Sequence, residues 1–361
     1  MPGKAFDFFK MIGKYSLIGS PIILVALFAF FFLREILLSP ADPNAKEPTI
    51  IEIAQGTSFR QACKLVESRG VVKHWWTLDI ISRIKGKNTI GAGEYELSAA
   101  MTPEEILRYL LEGKTFKRKI VLKEGQSIYD LGEIVEAAGL LSRAEINKGL
   151  IDAQLLSESG IGVGSFEGYL FPETYLFSRP VQAEDILFTM LSEGKKHWPD
   201  EFEKRAKSLN LTKHEVLTLA SIIEKESGNS DEQPTIAAVF HNRLRVDWPL
   251  QSDPTAVYGL PGFTGPILRK HLAIESAYNT YKIRGLPPGP ICNPGDSAIR
   301  AALYPENADY MYFVADGRGG HIFSISQKEH ERAVEFYRHT LKMQRQEQGL
   351  KEEADDEQPA E

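Results

Sequence analysis

"IEIAQGTSFRQACKLVESRGVV", residues 51–72, opens on a short apolar alternation and turns at Gly56. It continues from Ser58 with apolar residues at helical spacing and stops at Gly70. A strand, a glycine turn, a capping serine and an amphipathic helix are the predicted order. The pattern recurs as "IVLKEGQSIYDLGEIVEAAGLL" from Ile120, in register at Ile51/Ile120, Gly56/Gly125, Ser58/Ser127, Val66/Val135, Glu67/Glu136 and Gly70/Gly139. Between the copies, "GAGEYELSAAMTPEEILRYLLEG" reads as a strand, then Thr102 as cap, Pro103 at the first helical position, and a stop at Gly113. Small LysM-like strand–helix modules are therefore predicted over 49–145. Such modules commonly bind extended ligands, and a packing spacer has the same pattern.

Upstream of the modules, "YSLIGSPIILVALFAFFFL" runs between Lys14 and Arg34 without a charge, long enough to cross a bilayer as a helix. Lys4, Lys10 and Lys14 precede it, which orients 1–14 to the cytoplasm, 15–33 across the membrane and the rest outward. A cleaved signal peptide is the alternative, but no small-x-small site follows closely. Residues 34–48 are a Pro/Asn/Asp-rich linker, and the acidic, aromatic-free 344–361 form a tail predicted to be disordered. The net charge of -7, with no long basic block, argues against nucleic acid as partner. Two cysteines, Cys63 and Cys292, exclude a disulfide framework, and the histidines form no H-x-x-H or H-E-x-x-H spacing, so neither metal nor cofactor is called for.

Downstream, 146–343 reads as a mixed α/β catalytic domain with a cleft, which makes the chain α+β overall. "FEGYLFPETYLFS" (166–178) is aromatic-dense, and helix is predicted over 183–209 with a break near Pro199. Further helices are predicted over 211–227, where Thr212 and Glu215 make a capping box, and over 234–246. Loops rich in Pro and Gly follow, then a strand-like pair in "YMYFVADGRGGHIFSI".

The helix over 211–227 ends in "LASIIEKES". On a wheel, Val216, Leu217, Leu219, Ala220, Ile222 and Ile223 fill one arc, and Lys225 lies opposite. Glu224 and Glu226 fall on the two margins, about 200° apart, so they cannot bracket one glycosidic bond as a carboxylate pair. Either could work singly, since an acid against an apolar wall holds its proton to higher pH. Read alone, Glu-Lys-Glu at a helix end is also an ordinary solvated face.

"LASIIEKES", "FHNRLRVDWPLQSDPTAVYGL", "YNTYKIRGLPPGPICNPGDSAIRAALYP" and "YMYFVADGRGGHIFS" together resemble the endolytic murein transglycosylase family (MltG, or YceG-like). The likeness extends to "GAGEYEL", "EGYLFPETY" and the N-terminal apolar run. It implies a single catalytic glutamate, at Glu226, acting as acid and then base. The implied reaction cleaves the MurNAc–GlcNAc bond of nascent peptidoglycan strands without water, leaving 1,6-anhydro-MurNAc ends. Gln251, Asp253, Tyr258, Asn279 and Tyr281 lie in the family's distinctive loops and are the implied substrate contacts. Asp253 before a proline also suits turn capping, and Asn293 in "NPG" suits a turn. His321 of "GGHIFS" reads as an extra acid/base or as a structural hydrogen bond. The likeness further implies a single-pass protein of the bacterial inner membrane with a periplasmic catalytic domain, working beside penicillin-binding protein synthases and cell-wall assembly proteins. A glycan-binding scaffold without catalysis and a hydrolysing muramidase are the rival readings.

Overall fold

The computed structural model describes residues 24, 25 and 27–347 of the chain. The stretches expected to be a cytoplasmic N-terminus (1–14), the first part of a membrane helix (15–23) and most of the acidic tail (348–361) lie outside them. Among the described residues, no helix is long and apolar enough to cross a membrane. Residues 27–38 are helical, and Leu27, Phe28, Phe30, Phe31, Phe32 and Leu33 in that stretch are exposed.

The chain divides into two compact units, the first running to Arg118 and taking in Ser178–Pro180. The first unit contains β1 (Thr49–Ile53), α1 (Phe59–Ser68), α2 (Trp75–Lys85), β2 (Gly93–Leu97) and α3 (Pro103–Leu111). The two strands pair antiparallel, Thr49 opposite Leu97 and Ile53 opposite Gly93. Their alternation turns Ile51, Ile53, Tyr95 and Leu97 onto a core shared with Val66, Leu78, Ile106 and Leu110. Both predicted helix starts carry reciprocal caps, Ser58 with Gln61 and Thr102 with Glu105. Helix α2, built on "WWTLDIISRIK", lies beyond the stretch of the repeat read from the sequence.

The second unit holds Lys119–Phe177 and everything from Val181 onward, so the second copy of the repeat belongs with the elements around Glu226. Its elements are β3 (Arg118–Val121, starting at the boundary), α4 (Ile128–Ala137), α5 (Arg143–Leu150), α6 (Ala153–Ser159), β4 (Thr174–Phe177), α7 (Ala183–Lys196) and α8 (Asp200–Ser208). Then come α9 (Lys213–Glu226), α10 (Gln233–Arg245), the short α11 (Asp253–Val257) and α12 (Arg269–Leu272), and α13 (Asp296–Leu303). A hairpin of β5 (Tyr312–Ala315) and β6 (His321–Ser324) and the long α14 (Gln327–Glu347) complete it. Gly56 and Gly125, matched in the repeat, both sit at positive φ (82° and 76°), which is why the turn after each strand needs glycine.

Strand β3 pairs with β4, and β5 pairs antiparallel with β6. One core gathers Leu131, Val135, Phe166, Leu170, Leu187 and Met190 from α4, the aromatic segment and α7. A second gathers Leu219, Ile222 and Ile223 of α9, Phe240 of α10, and Ala298, Ala302 and Leu303 of α13. Helix α9 is thus buried from Val216 to Ile223 without a break, with its polar end left to the loops.

Candidate active site

Thr212 caps α9, accepting the Glu215 amide at 3.2 Å while its own amide donates to Glu215 Oε2 at 2.7 Å. The other end stops abruptly at Glu226. Ser227 is extended (φ -116°, ψ 118°), and its hydroxyl donates to the Asn229 carbonyl and accepts the Asn229 amide. That side-chain turn competes with a further helical turn and ends the helix.

The two glutamates of the motif meet different surroundings. Glu224 Oε2 accepts the amide of Gly295, the residue before α13, at 3.0 Å. Burial raises the Glu224 pKa, opposed by that hydrogen bond and reinforced by the charge of Glu124. Glu224 therefore ties the "NPG" turn to the end of α9.

Glu226 faces the loop of residues 251–253. Burial pushes its pKa from 4.5 up to about 7; the Ser252 hydroxyl opposes the rise, Asp253 adds to it and the Arg243 cation opposes it. The residue as a whole keeps partial access to solvent. An acid that is half protonated near neutral pH, against an apolar helix and still reachable, meets the requirement for a proton donor that later becomes a base.

Two motifs far apart in sequence build the wall around it. Ser252 donates its amide to Thr280 Oγ1 at 2.9 Å, Gln251 donates its amide to the Thr280 carbonyl at 3.2 Å, and the hydroxyls of Thr255 and Thr280 meet at 2.8 Å. Tyr281 Oη donates to Asp253 Oδ1 at 2.6 Å. "QSDPT" and "NTY" are therefore one interlocked structure. Gln251 itself has φ 53°, a left-handed conformation costly for a non-glycine residue, and the Thr280 contacts hold it there.

Arg243 of α10 is buried, 6% exposed, and acts as a brace. Its Nε donates to the Met311 carbonyl at 2.8 Å and its Nη1 to the Leu250 carbonyl at 2.6 Å. Its charge thereby stands near Glu226 while its donors fix the chain just before Ser252.

Each sequence candidate has a definite place. Glu226, Asp253 and Tyr281 come together, and Gln251 is exposed on the same loop. Asn279 is fully buried: its Nδ2 donates to the carbonyls of Leu272 and Ile274, and its Oδ1 accepts the Tyr281 amide. It shapes the "NTY" turn. Tyr258 turns its hydroxyl to Glu167 Oε2 at 2.8 Å. Glu167, 3% exposed, also accepts the Ile128 amide at 3.2 Å and Asn293 Nδ2 at 3.3 Å. Burial raises its pKa to about 7 despite those donors. Asn293 Oδ1 in turn accepts the amides of Gly168 and Leu170. His321 Nδ1 lies 2.8 Å from Glu232 Oε2, and its amide donates to Glu232 Oε1, a structural pairing.

Sequence reasoning passed over Arg243, Ser252, Thr280 and Glu167. An arginine in the last turn of a helix is ordinary, and nothing local marks a serine or threonine whose partner is 28 residues away. Cys63 and Cys292 are free and buried. Among the described residues, no group of three or more His, Cys, Asp or Glu is arranged to hold a metal ion. A cavity of about 150 Å³, lined by Trp198, Lys213 and Leu217 among others, lies at the opposite end of α9. Lys213 and Glu226 are the first and last residues of that helix, about 20 Å apart, so this cavity is separate from the Glu226 site.

The model of the YceG-like family matches residues 51–336, from β1 into α14. An endolytic murein transglycosylase of Bacillus subtilis (strain 168) is 32% identical over 323 residues, covering 85% of this chain and 89% of its own length. A protein of the same name from Streptococcus pneumoniae (serotype 2, strain D39) is 30% identical over 343 residues, covering 85% of this chain and 61% of its own. The crystal structure of a YceG-like protein from Listeria monocytogenes superposes with a TM-score of 0.56 at 33% identity, over 80% of this chain and 99% of that one. With the match covering most of the chain and reaching into both compact units, the chain belongs to the YceG-like family.

Proposed function

We propose that this protein is a lyase: an endolytic peptidoglycan transglycosylase that cuts glycan strands with Glu226 as its one acid/base group. Family membership and the names of the relatives support the activity. The observation that carries the residue assignment is the contrast at the end of α9, where Glu224 is committed to Gly295 while Glu226 faces the 251–253 loop with a pKa near 7.

In the first half-reaction the Glu226 carboxylic acid gives its proton to the glycosidic oxygen leaving C1 of N-acetylmuramic acid. The C1–O bond breaks, and positive charge builds on the sugar. In the second, the Glu226 carboxylate takes the proton of that sugar's C6 hydroxyl as O6 bonds to C1. A 1,6-anhydro end results, and no water is consumed. The substrate supplies the nucleophile that a hydrolase obtains from a second carboxylate or from water.

The exposed apolar side chains of residues 27–33 support an N-terminal anchor, with the rest of the chain on the outer side of the inner membrane and penicillin-binding synthases as neighbours. The strand–helix module of the first unit is the candidate LysM-like element. Asp253 favours a second reading. A carboxyl close enough to raise the pKa of Glu226 supplies the partner that a hydrolysing muramidase needs. Digestion of purified glycan strands, with mass analysis of the ends, separates the readings. Anhydro ends support the transglycosylase, reducing ends the muramidase, and intact strands a binding scaffold.

A further inference from the structure

Ser252 is 1% exposed, and its hydroxyl makes no close hydrogen bond; the group it acts on is the Glu226 carboxyl, whose charged form it favours. A buried hydroxyl left unpaired is costly and calls for a reason. Ser252 is not a loosely held residue. Its amide is fixed on Thr280 Oγ1 at 2.9 Å, its carbonyl accepts Thr255 Oγ1 at 2.6 Å, and Leu250, two residues before it, is fixed by Arg243. The backbone is thus clamped on both sides, and the side chain is the free element, standing beside Glu226.

We propose that Ser252 is a positioning residue of the reaction, whose hydroxyl is held in reserve for the carboxylate that appears when Glu226 gives up its proton. While Glu226 is a neutral acid, the hydroxyl stays unpaired. As the proton passes to the glycosidic oxygen, negative charge grows on the carboxylate, and the serine O–H turns to donate to it. When Glu226 recovers a proton from the C6 hydroxyl, the bond is released. No covalent bond to Ser252 forms or breaks. A donor aimed at a charge before it develops acts without reorganising the backbone, the general form of electrostatic preorganisation.

This inference rests on the reading of Glu226 as proton donor, and its test keeps the two apart. The groups around Glu226 are Asp253, which favours the neutral acid, Arg243, which favours the carboxylate, and Tyr281, which is bound to Asp253. Removing the hydroxyl leaves all three in place. The titration of Glu226 is read by infrared difference between the full-length protein and E226Q, in the Ser252, S252A and S252T backgrounds. S252A should move the Glu226 midpoint upward by about one pH unit, the size expected for one donor to a charged group. The alkaline limb of kcat/KM should move by the same amount, and kcat should fall about tenfold with little change in KM. S252T keeps the hydroxyl and should restore the midpoint and the limb, which excludes a packing effect. An unmoved midpoint in S252A, or S252T behaving like S252A, overturns the proposal. Intact glycan strands with the unsubstituted protein would overturn the transglycosylase reading instead, while the infrared titration still decides the Ser252–Glu226 contact.

Discussion

The amide of Gly295 donates to Glu224 Oε2 at 3.0 Å, so the glutamate two residues before Glu226 holds a turn in place. E224Q keeps an acceptor oxygen and should retain substantial cleavage. E224A leaves the Gly295 amide without its acceptor and should lose about 1–3 kcal/mol of stability. Denaturant unfolding beside a strand-cleavage assay checks both outcomes.

The pH dependence follows from two acids. Glu226 and Glu167 each have a folded pKa near 7, against 4.5 in the open chain, so the folded protein holds their protons more tightly. Their contribution to stability is full below pH 4.5 and is lost as pH rises to about 7 and beyond. Unfolding free energy measured across this window should fall for these two groups. E226Q should flatten the fall and gain on the order of 1–2 kcal/mol at pH 8. The same titration places the alkaline limb of kcat/KM near pH 7, because the first proton transfer needs the acid form.

Glu167 joins the aromatic segment to Tyr258, to Asn293 and to the start of α4. E167A removes the acceptor of three donors, from Ile128, Tyr258 and Asn293, and should cost about 3–5 kcal/mol, whereas E167Q, which keeps one acceptor oxygen, should cost less. Thermal unfolding of the two variants gives the ranking, and equal losses would show that neither the volume nor the one oxygen kept by glutamine holds the junction together.

Thr280 makes the junction between the two loops of the site. T280V preserves shape but removes the acceptor for the Ser252 amide and the hydroxyl partner of Thr255. A loss of about 1–3 kcal/mol is expected, with a fall in kcat/KM larger than the unfolding change accounts for, since Ser252 shifts relative to Glu226. Activity measured well below the melting temperature separates the two effects.

Local signals were readable wherever the partners lie within a few residues. The cap at Thr102, the box at Thr212, the glycine turns at Gly56 and Gly125, and the break at Pro199 all appear where the residues placed them. So does the strand pair, with Tyr312 opposite Ser324. What could not be read is long-range pairing. Nothing local shows that the carbonyls of Leu272 and Ile274 hold the Asn279 side chain, or that the Tyr258 hydroxyl meets Glu167. The repeat shows the same limit: its two copies fold alike locally, but burial of Leu131 and Val135 against Phe166 and Leu187 draws the second into the larger unit.

The most direct test is glycan-strand cleavage by E226Q beside E224Q and the unsubstituted protein, with the ends identified by mass spectrometry. Glutamine has no proton to give, so E226Q should lose at least about a thousandfold in rate while unfolding as cooperatively as the parent, and E224Q should still release anhydro ends. Anhydro ends from E226Q at near-normal rate, with E224Q inactive, would contradict the assignment of Glu226.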